Sequence, residues 1–560
     1  MCHCQMVKTK EREIPMKQKR IHPLLLSVLL ALLTLCLPIY AREISVPGGE
    51  VTDAASLLAA LGGDDAAWIN GAGELCLRAD LLAEAPIIIK DGNYTINGAG
   101  SRLGRTDSTR PLLILESGAT LSLGQDNNRD QAETILLEGG DPGSAPVIEL
   151  TGGTLNIYAG ALLTGGRSDA DGGMLALRDG KLRMEGGVIE YCAANRGGAL
   201  AIFGGEAELA GGRIRMCEAQ SDGGGVYLEA GKLTLSGLYV GAEPVVDAIS
   251  SDVTVDETQG CTANRGGGLF LAGGDCVVYA GGAASCTAEN GGGVWIEPGA
   301  SMYMVGGAIY ANSATRNGGG LMVGGQLAIG AGELSTNRAE NGGGLYILSG
   351  GTAVMQNGNL VSNEVTGLGG GVYNEGCFQI ADGNLNYNRS QTGGGIYNLG
   401  WCAISGGSVG YNKTVYAFGA CTLNLGTLEL SYDCYVGGDN DIAVVRTASG
   451  EEHPAILDGK FETTTTVARL LPVVQNDDGG FSADYSKGRQ LMVVKEGNEI
   501  PLSDYPHLFK VPDDATGGAW VVSKAGQLAT APLSWTFWLS AGILLAVAAA
   551  FLFFTLRKRK

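Results

Sequence analysis

The chain has 560 residues, of which 91 are glycine and only 16 proline, and 45% are hydrophobic. This composition excludes an apolar-poor disordered chain and a collagen, which needs glycine at every third position; it points instead to many short buried strands joined by tight turns. The formal net charge is −20, and since each end carries about +4, the stretch between them is near −28, which repels phosphate backbones and argues against a nucleic-acid partner.

At the start, the basic stretch 8–20 precedes an apolar run over 24–37 and then Pro38, Ile39, Tyr40 and Ala41. A charged region, an apolar region and a small residue before Arg42 read as a secretory signal peptide over 1–41, with Met6 or Met16 as alternative starts. Cys2, His3 and Cys4 have no second ligand pair and are read as part of this leader. Residues 42–73 are expected to form an N-terminal cap, with an Ala/Leu-rich helix over 53–61 and Thr52 as its N-cap. Such a cap would close an otherwise open strand edge. Strand-like segments follow at 74–78, 86–89, 94–96, 112–115, 134–137 and 147–150.

A glycine doublet or triplet then recurs, ending at Gly173, Gly198, Gly225, Gly268, Gly293, Gly320, Gly344, Gly371 and Gly395. The steps are 24 to 27 residues, apart from one of 43 that contains an inserted loop or degenerate unit at 237–260. A period of this size marks a solenoid. After the triplets comes an aliphatic–aromatic–aliphatic run, as in Val226, Tyr227 and Leu228 or Val294, Trp295 and Ile296. Alternation of period two bounded by glycines is a strand, and three consecutive glycines per unit would not be tolerated in a helical repeat. Second and third strands in each unit, such as 232–235 and 306–309, make three strands per turn. The expected fold is therefore all-β, a right-handed parallel β-helix over 74–442, with about a dozen coils stacked at roughly 4.8 Å into a rod on the order of 60 Å long.

Five to six residues before most triplets sits one equivalent position, occupied in turn by Cys192, Cys217, Cys261, Cys286, Asn312, Asn337, Asn363, Asn388 and, with a wider gap, Asn412. Stacking would turn this into a structural ladder in which side-chain amides bond one coil to the next. A second column, Asn374, Asn398 and Asn424, comes after the strand in the last coils. The centre of each post-triplet strand is Tyr227, Phe270, Trp295, Met322, Tyr346, Tyr373 and Tyr397. If their aliphatic neighbours point inward, these residues point outward. The stripe they form is the candidate binding surface, suited to sugar rings or another protein; the alternative is a self-packing ladder that stiffens the sheet.

The run Gly306, Gly307, Ala308 and Ile309, with an aliphatic residue three before each Asn (Ile309/Asn312, Leu334/Asn337, Leu360/Asn363, Leu385/Asn388, Val409/Asn412), resembles the repeats of chlamydial polymorphic outer-membrane proteins. Those repeats carry Phe at the aliphatic position, and that family ends in an autotransporter barrel with no counterpart in these residues. The Gly-Gly-Gly-Val-Tyr rung at 369–373 and the segment Gly438, Asp439, Asn440, Asp441 and Ile442 are more similar to adhesin-like β-helix proteins of Gram-positive gut bacteria and methanogens. The resemblance spans about 74–530. It implies a parallel β-helix and a surface-exposed, adhesin-like role.

Beyond Ile442 the glycine rhythm stops, and 443–531 is expected to be a small β-domain or spacer. Residues 535–556 carry no charge, enough for a membrane-spanning helix at 1.5 Å per residue. Trp535 and Trp538 suit the interface, and Arg557, Lys558, Arg559 and Lys560 form a basic tail. The expected arrangement is a transmembrane helix over 532–556, a cytoplasmic tail at 557–560 and the rest outside the cell.

Ten cysteines lie beyond the leader, none in a CxxC pair, so no zinc site or other cofactor is expected. Stacking brings Cys192 near Cys217 and Cys261 near Cys286, within the Cα range of a disulfide; buried free thiols are the alternative. Two of the four histidines lie in the leader, and His453 and His507 lie outside the repeat, so no His-based triad is expected on it. The expected function is a non-catalytic cell-surface adhesin-like binding or spacer protein, with a glycan or a protein of a host or neighbouring surface as partner. The alternative is a polysaccharide-acting β-helix enzyme, a lyase or glycoside hydrolase. The two separate on whether three or more carboxylate or basic side chains converge in a groove.

Overall fold

The computed structural model describes residues 43–124, 135–246, 253–415, 418–432, 434–437, 440–461, 466–498, 500–513 and 519–531. The expected signal peptide at 1–41, transmembrane helix at 532–556 and tail at 557–560 lie outside the described residues. No helix among the described residues is long and apolar enough to cross a membrane.

The described chain is a right-handed parallel β-helix with three strands per coil. The post-triplet strands stack on a first face, for example Val226–Leu228 on Leu269–Leu271 and then Val294–Ile296. A second face carries Ser301–Met304, Gln326–Ile329 and Thr352–Met355 in register. A third carries Ala308–Tyr310, Glu333–Ser335 and Asn359–Val361. A short additional sheet, from Thr287–Asn290 through Ser313–Asn317 to Lys413–Thr414, lines the turn before the triplets. Alternation along each strand sends aliphatic residues into one continuous core, so Met302 and Met304 are buried while Tyr303 between them is exposed.

Two backbone requirements set the repeat. In the triplet Gly266, Gly267 and Gly268, the first residue has φ +62, and a Cβ on the second would sit 2.4 Å from the carbonyl oxygens of Gly292 and Thr287. The coils touch backbone to backbone here, and only glycine fits. The residue before most ladder positions is the second requirement: Tyr191, Met216, Ser285, Ala311, Thr336, Ser362, Tyr387 and Tyr411 all have φ between 53 and 60, while Gly260, where the chain re-enters before Cys261, is extended at φ −62. A left-handed non-glycine residue costs about 1–2 kcal/mol, so each corner must be held in place by the ladder residue next to it.

The cap helix is Ala54–Ala60, and its N-cap is Asp53 rather than the expected Thr52. Asp53 has extended backbone, its carboxylate accepts from Ser56 N at 2.7 Å, and Ser56 Oγ accepts from Asp53 N at 3.0 Å. This reciprocal pair outcompetes a lone threonine. Parallel stacking already begins ahead of the helix, with Glu43–Val46 on Asp80–Ala83 and Gly49–Val51 on Ile87–Ile89.

The irregular stretch expected at 237–260 starts later. Residues through Gly241 stay in the coil as part of Lys232–Gly241. The excursion carries an antiparallel pair, Val245–Val246 with Val253–Thr254, before the chain re-enters at Cys261. At the other end the glycine rhythm stops but the stacking does not. Asp441–Arg446 pairs in parallel with Thr422–Asn424 and with Ala468–Gln475, which in turn pairs with Phe509–Lys510. Ala455–Leu457 and Met492–Val494 continue the second face. Much of the expected separate β-region at 443–531 is thus further coil, and the hairpin of Trp520–Val522 with Leu528–Thr530 comes after it.

Candidate functional site

The turn column is a hydrogen-bonded ladder. Asn312 Nδ2 donates to Asn337 Oδ1 at 3.1 Å, and the Asn312 backbone N–H donates to the same oxygen at 2.9 Å. The second amide hydrogen reaches back to Ala283 O at 3.0 Å. The pattern repeats at Asn337, Asn363 and Asn388. The ladder closes at Asn440, whose Oδ1 accepts from Asn412 N at 2.9 Å. The glycine rhythm does not mark Asn440 as a rung; its place in the segment 438–442 is the only signal the sequence offers. In the second column the side-chain amides alone bond coil to coil, Asn374 Nδ2 to Asn398 Oδ1 and Asn398 Nδ2 to Asn424 Oδ1 at 2.7 Å each, while Asn374 Oδ1 accepts from Gly376 N in its own turn. All these amides are buried, as fully satisfied polar groups in a core must be.

In the earlier coils sulfur takes the place of the amide. The Cys217 backbone N–H is directed at Cys261 and the Cys261 N–H at Cys286. The thiols donate to carbonyls, Cys192 to Glu190 O at 3.2 Å and Cys217 to Arg215 O at 3.1 Å. All four are unbridged and buried. Burial pushes Cys217 and Cys286 well above the usual thiol range and Cys276 up to about 12. Cys217, Cys276 and Cys286 are therefore protonated structural thiols rather than nucleophiles, whereas hydrogen bonds from Cys217 and Cys286 hold Cys261 well below the usual thiol range.

The aromatic residues of the first face do form a column, but a closed one. Tyr227, Phe270, Tyr346 and Tyr397 are less than a tenth exposed, and Trp295 and Tyr373 are half-buried. The expected exposed stripe is absent because the rings cover one another. Tyr346 and Tyr373 stack at 4.5 Å between centroids, Tyr373 and Tyr397 at 5.3 Å, and Tyr227 and Phe270 at 5.7 Å. Arginines lie over the outer rings: Arg196 is 4.3 Å from the Tyr227 centroid, and Arg265 is 4.7 Å from Phe270 and 5.3 Å from Trp295. Each arginine grips a carboxylate of the preceding coil. Arg265 Nε and Nη2 bond both oxygens of Asp222 at 2.7 and 3.1 Å, and Arg196 bonds Asp171 likewise at 3.1 and 2.6 Å. Trp295 Nε1 is buried without an acceptor, and the Arg265 guanidinium over the ring face offers only donors. Burial raises the hydroxyls of Tyr346, Tyr373 and Tyr397, the last to about 12.

Open surface lies instead on the second face. A groove of about 530 Å³ is lined by Thr154, Asn156, Lys181, Arg183, Glu206, Glu208, Lys232, Thr234 and Tyr279. A second groove of about 290 Å³ lies further along the same face, lined by Ser301, Tyr303, Gln326, Ala328, Thr352 and Val354. Four of the five charges of the first are paired across coils, Lys181 with Glu206 at 3.4 Å and Arg183 with Glu208 at 3.6 Å, and Lys232 is the fifth. Tyr279 and Tyr303 are 56% and 41% exposed. Sequence reasoning passes over them because neither comes directly after a glycine triplet, although the alternation Met302, Tyr303, Met304 places Tyr303 outward. Among the described residues no cluster of three or more His, Cys, Asp or Glu is arranged to hold a metal ion. No protein-family model, curated protein or solved structure matches this chain.

Proposed function

We propose that the chain is a non-catalytic, exported binding or spacer protein of a cell surface, in the manner of the adhesin-like β-helix proteins that its rungs resemble. The observation that supports this reading is the use made of the outward carboxylates. Asp171, Asp222, Glu190 and Asp441 are each taken up by an arginine from another coil: Arg196, Arg265, Arg215 and Arg469. A carboxylate locked between coils stiffens the stack, whereas general acid–base chemistry needs one free to face a substrate. The leader-like segment 1–41 supports export, and the apolar segment 532–556 with its basic tail supports a single-pass anchor with the coils outside. The partner is a glycan or a protein of a neighbouring surface.

The enzyme alternative has one observation on its side. Five charged side chains, Lys181, Arg183, Glu206, Glu208 and Lys232, converge on one groove. Glu206 and Glu208 are two residues apart on one strand and would be its acid–base pair. Both face solvent and both sit against cations, with side chains 62% and 48% exposed. The deciding experiment incubates the full chain with a panel of polysaccharides and tracks reducing ends and unsaturated products over time. The expected result is no release. Time-dependent release that E206Q or E208Q abolishes overturns the non-catalytic reading.

A further inference from the structure

We infer that the surface which meets a partner is the grooved second face, and that its occupant is a neutral, hydroxyl-rich polysaccharide strand lying along the coil axis. This rests on the reading of the chain as a non-catalytic binding protein and adds where it binds and what.

The first face is filled by its own rings, while the second presents two grooves, one around Lys181 and Tyr279 and one around Gln326 and Tyr303. Its outward positions repeat in register, Ser301 beside Gln326 and Gln326 beside Thr352, at the coil spacing of roughly 4.8 Å. A ligand that crosses the coils therefore meets a fresh hydroxyl or amide at each step, a spacing comparable to one sugar ring. The strands that form the floor have spent their backbone hydrogen bonds on the neighbouring coils, so an extended peptide has no edge to join. Four of the five charges of the larger groove cancel in pairs, Lys181 with Glu206 and Arg183 with Glu208, leaving only the single positive charge of Lys232, a weak field for a polyanion or polycation. Such pairs offer donors and acceptors side by side, the mixture that vicinal sugar hydroxyls satisfy.

Two rings supply the apolar contact. Tyr303 lies across the bare backbone of Gly330, where a Cβ would come within 2.7 Å of its hydroxyl. Gly330 thus gives the ring a flat bed on one side and leaves the other to solvent, at 41% exposure. Tyr279 stands at the wall of the larger groove, more exposed still. An aromatic face beside hydrogen-bonding side chains is the arrangement on which a pyranose ring stacks.

The test titrates the full chain with cellohexaose, xylohexaose and mannohexaose as neutral probes and hexagalacturonate as an acidic one, by calorimetry. At least one neutral probe is expected to bind, with Tyr279→Ala and Tyr303→Ala each weakening it tenfold or more at unchanged thermal unfolding. Tyr387→Ala, at least as exposed as either and directly after the third-face strand Asn384–Asn386, is the control and is expected to leave binding intact. Binding that survives Tyr279→Ala and Tyr303→Ala together, binding of hexagalacturonate alone, or binding of none of the four probes overturns the inference. The underlying reading fails separately: a neutral probe that binds through these tyrosines and is then cleaved keeps the groove and removes the non-catalytic assignment.

Discussion

At Cys192, Cys217, Cys261 and Cys286 the turn column is built of thiols, whereas from Asn312 to Asn440 the same column is built of amides. The corner that leads into it is nonetheless the same, left-handed at Met216 and Ser285 as at Thr336 and Ser362. The chemistry of the rung can therefore change without the turn changing. What differs is where each region finds its cohesion. The thiol coils carry the arginine-capped rings, with Arg196 and Arg265 bridging successive coils outside the sheet. The amide coils carry tyrosines stacked without such arginines at Tyr346, Tyr373 and Tyr397, and two amide columns inside. One region is tied from the outside by charge, the other from within by hydrogen bonds.

The largest expected effect comes from cutting the inner tie. Asn363→Leu removes an acceptor from both Asn337 N and Asn337 Nδ2 and a donor from Leu334 O. Each buried group left without a partner costs about 1–3 kcal/mol, so a loss of about 4 kcal/mol is expected. Denaturant unfolding measures it, and hydrogen exchange should show the opening centred on the coils at 309–388. A loss below about 1 kcal/mol would mean that the amide ladder is ornament and that the comparison is wrong.

The second cut is to the outer tie. Arg265→Ala strips both side-chain hydrogen bonds from Asp222, a side chain only 8% exposed, and uncovers Phe270 and Trp295. Removing one member of a largely buried pair costs more than the pair contributes. Arg265 itself is 41% exposed, which screens the charge and moderates the effect to about 2–3 kcal/mol. Arg265→Lys should recover little, since a lysine cannot grip both oxygens or lie flat over the rings. Exchange should rise in the coils around 222–297 and leave those at 337–412 unchanged; a uniform rise would erase the distinction between the two regions.

The coil period, the two ladder columns and the outward sense of the first-face residues are all legible in the sequence, because each repeats at one fixed spacing. The side of the coil left open is not. That Tyr227 points outward comes from alternation, but that it is buried comes from Phe270 one coil away and Arg196 above it. Those contacts join residues 43 and 31 positions apart in the chain, and no local pattern carries them. The continuation past Ile442 is hidden for a related reason: glycine marks coils whose turns press backbone on backbone, and Asp441–Arg446 and Ala468–Gln475 stack without that mark. Asn440 escapes the pattern because its partner, Asn412, lies 28 residues back rather than at the usual period.

The smallest expected effect falls on the thiol column, and it asks whether sulfur in that region is structural at all. Cys217→Ala removes one weak thiol hydrogen bond to Arg215 O, which lies 3.1 Å away, and leaves a void little larger than one sulfur atom. A weak donor and a small void together are worth about 1 kcal/mol, well under the Asn363→Leu cost at the equivalent position. The thiols themselves give a second reading. Buried in the core, Cys192, Cys217, Cys261 and Cys286 should resist alkylation by iodoacetamide in the folded chain, while Cys377, the exposed one among the described cysteines, reacts first. If Cys217→Ala costs as much as Asn363→Leu, the thiols are true rungs and the two regions are held alike. If Cys217 is alkylated as fast as Cys377 under native conditions, the thiol coils open readily, and the outer arginine ties are weaker than the geometry of Arg196 and Arg265 implies.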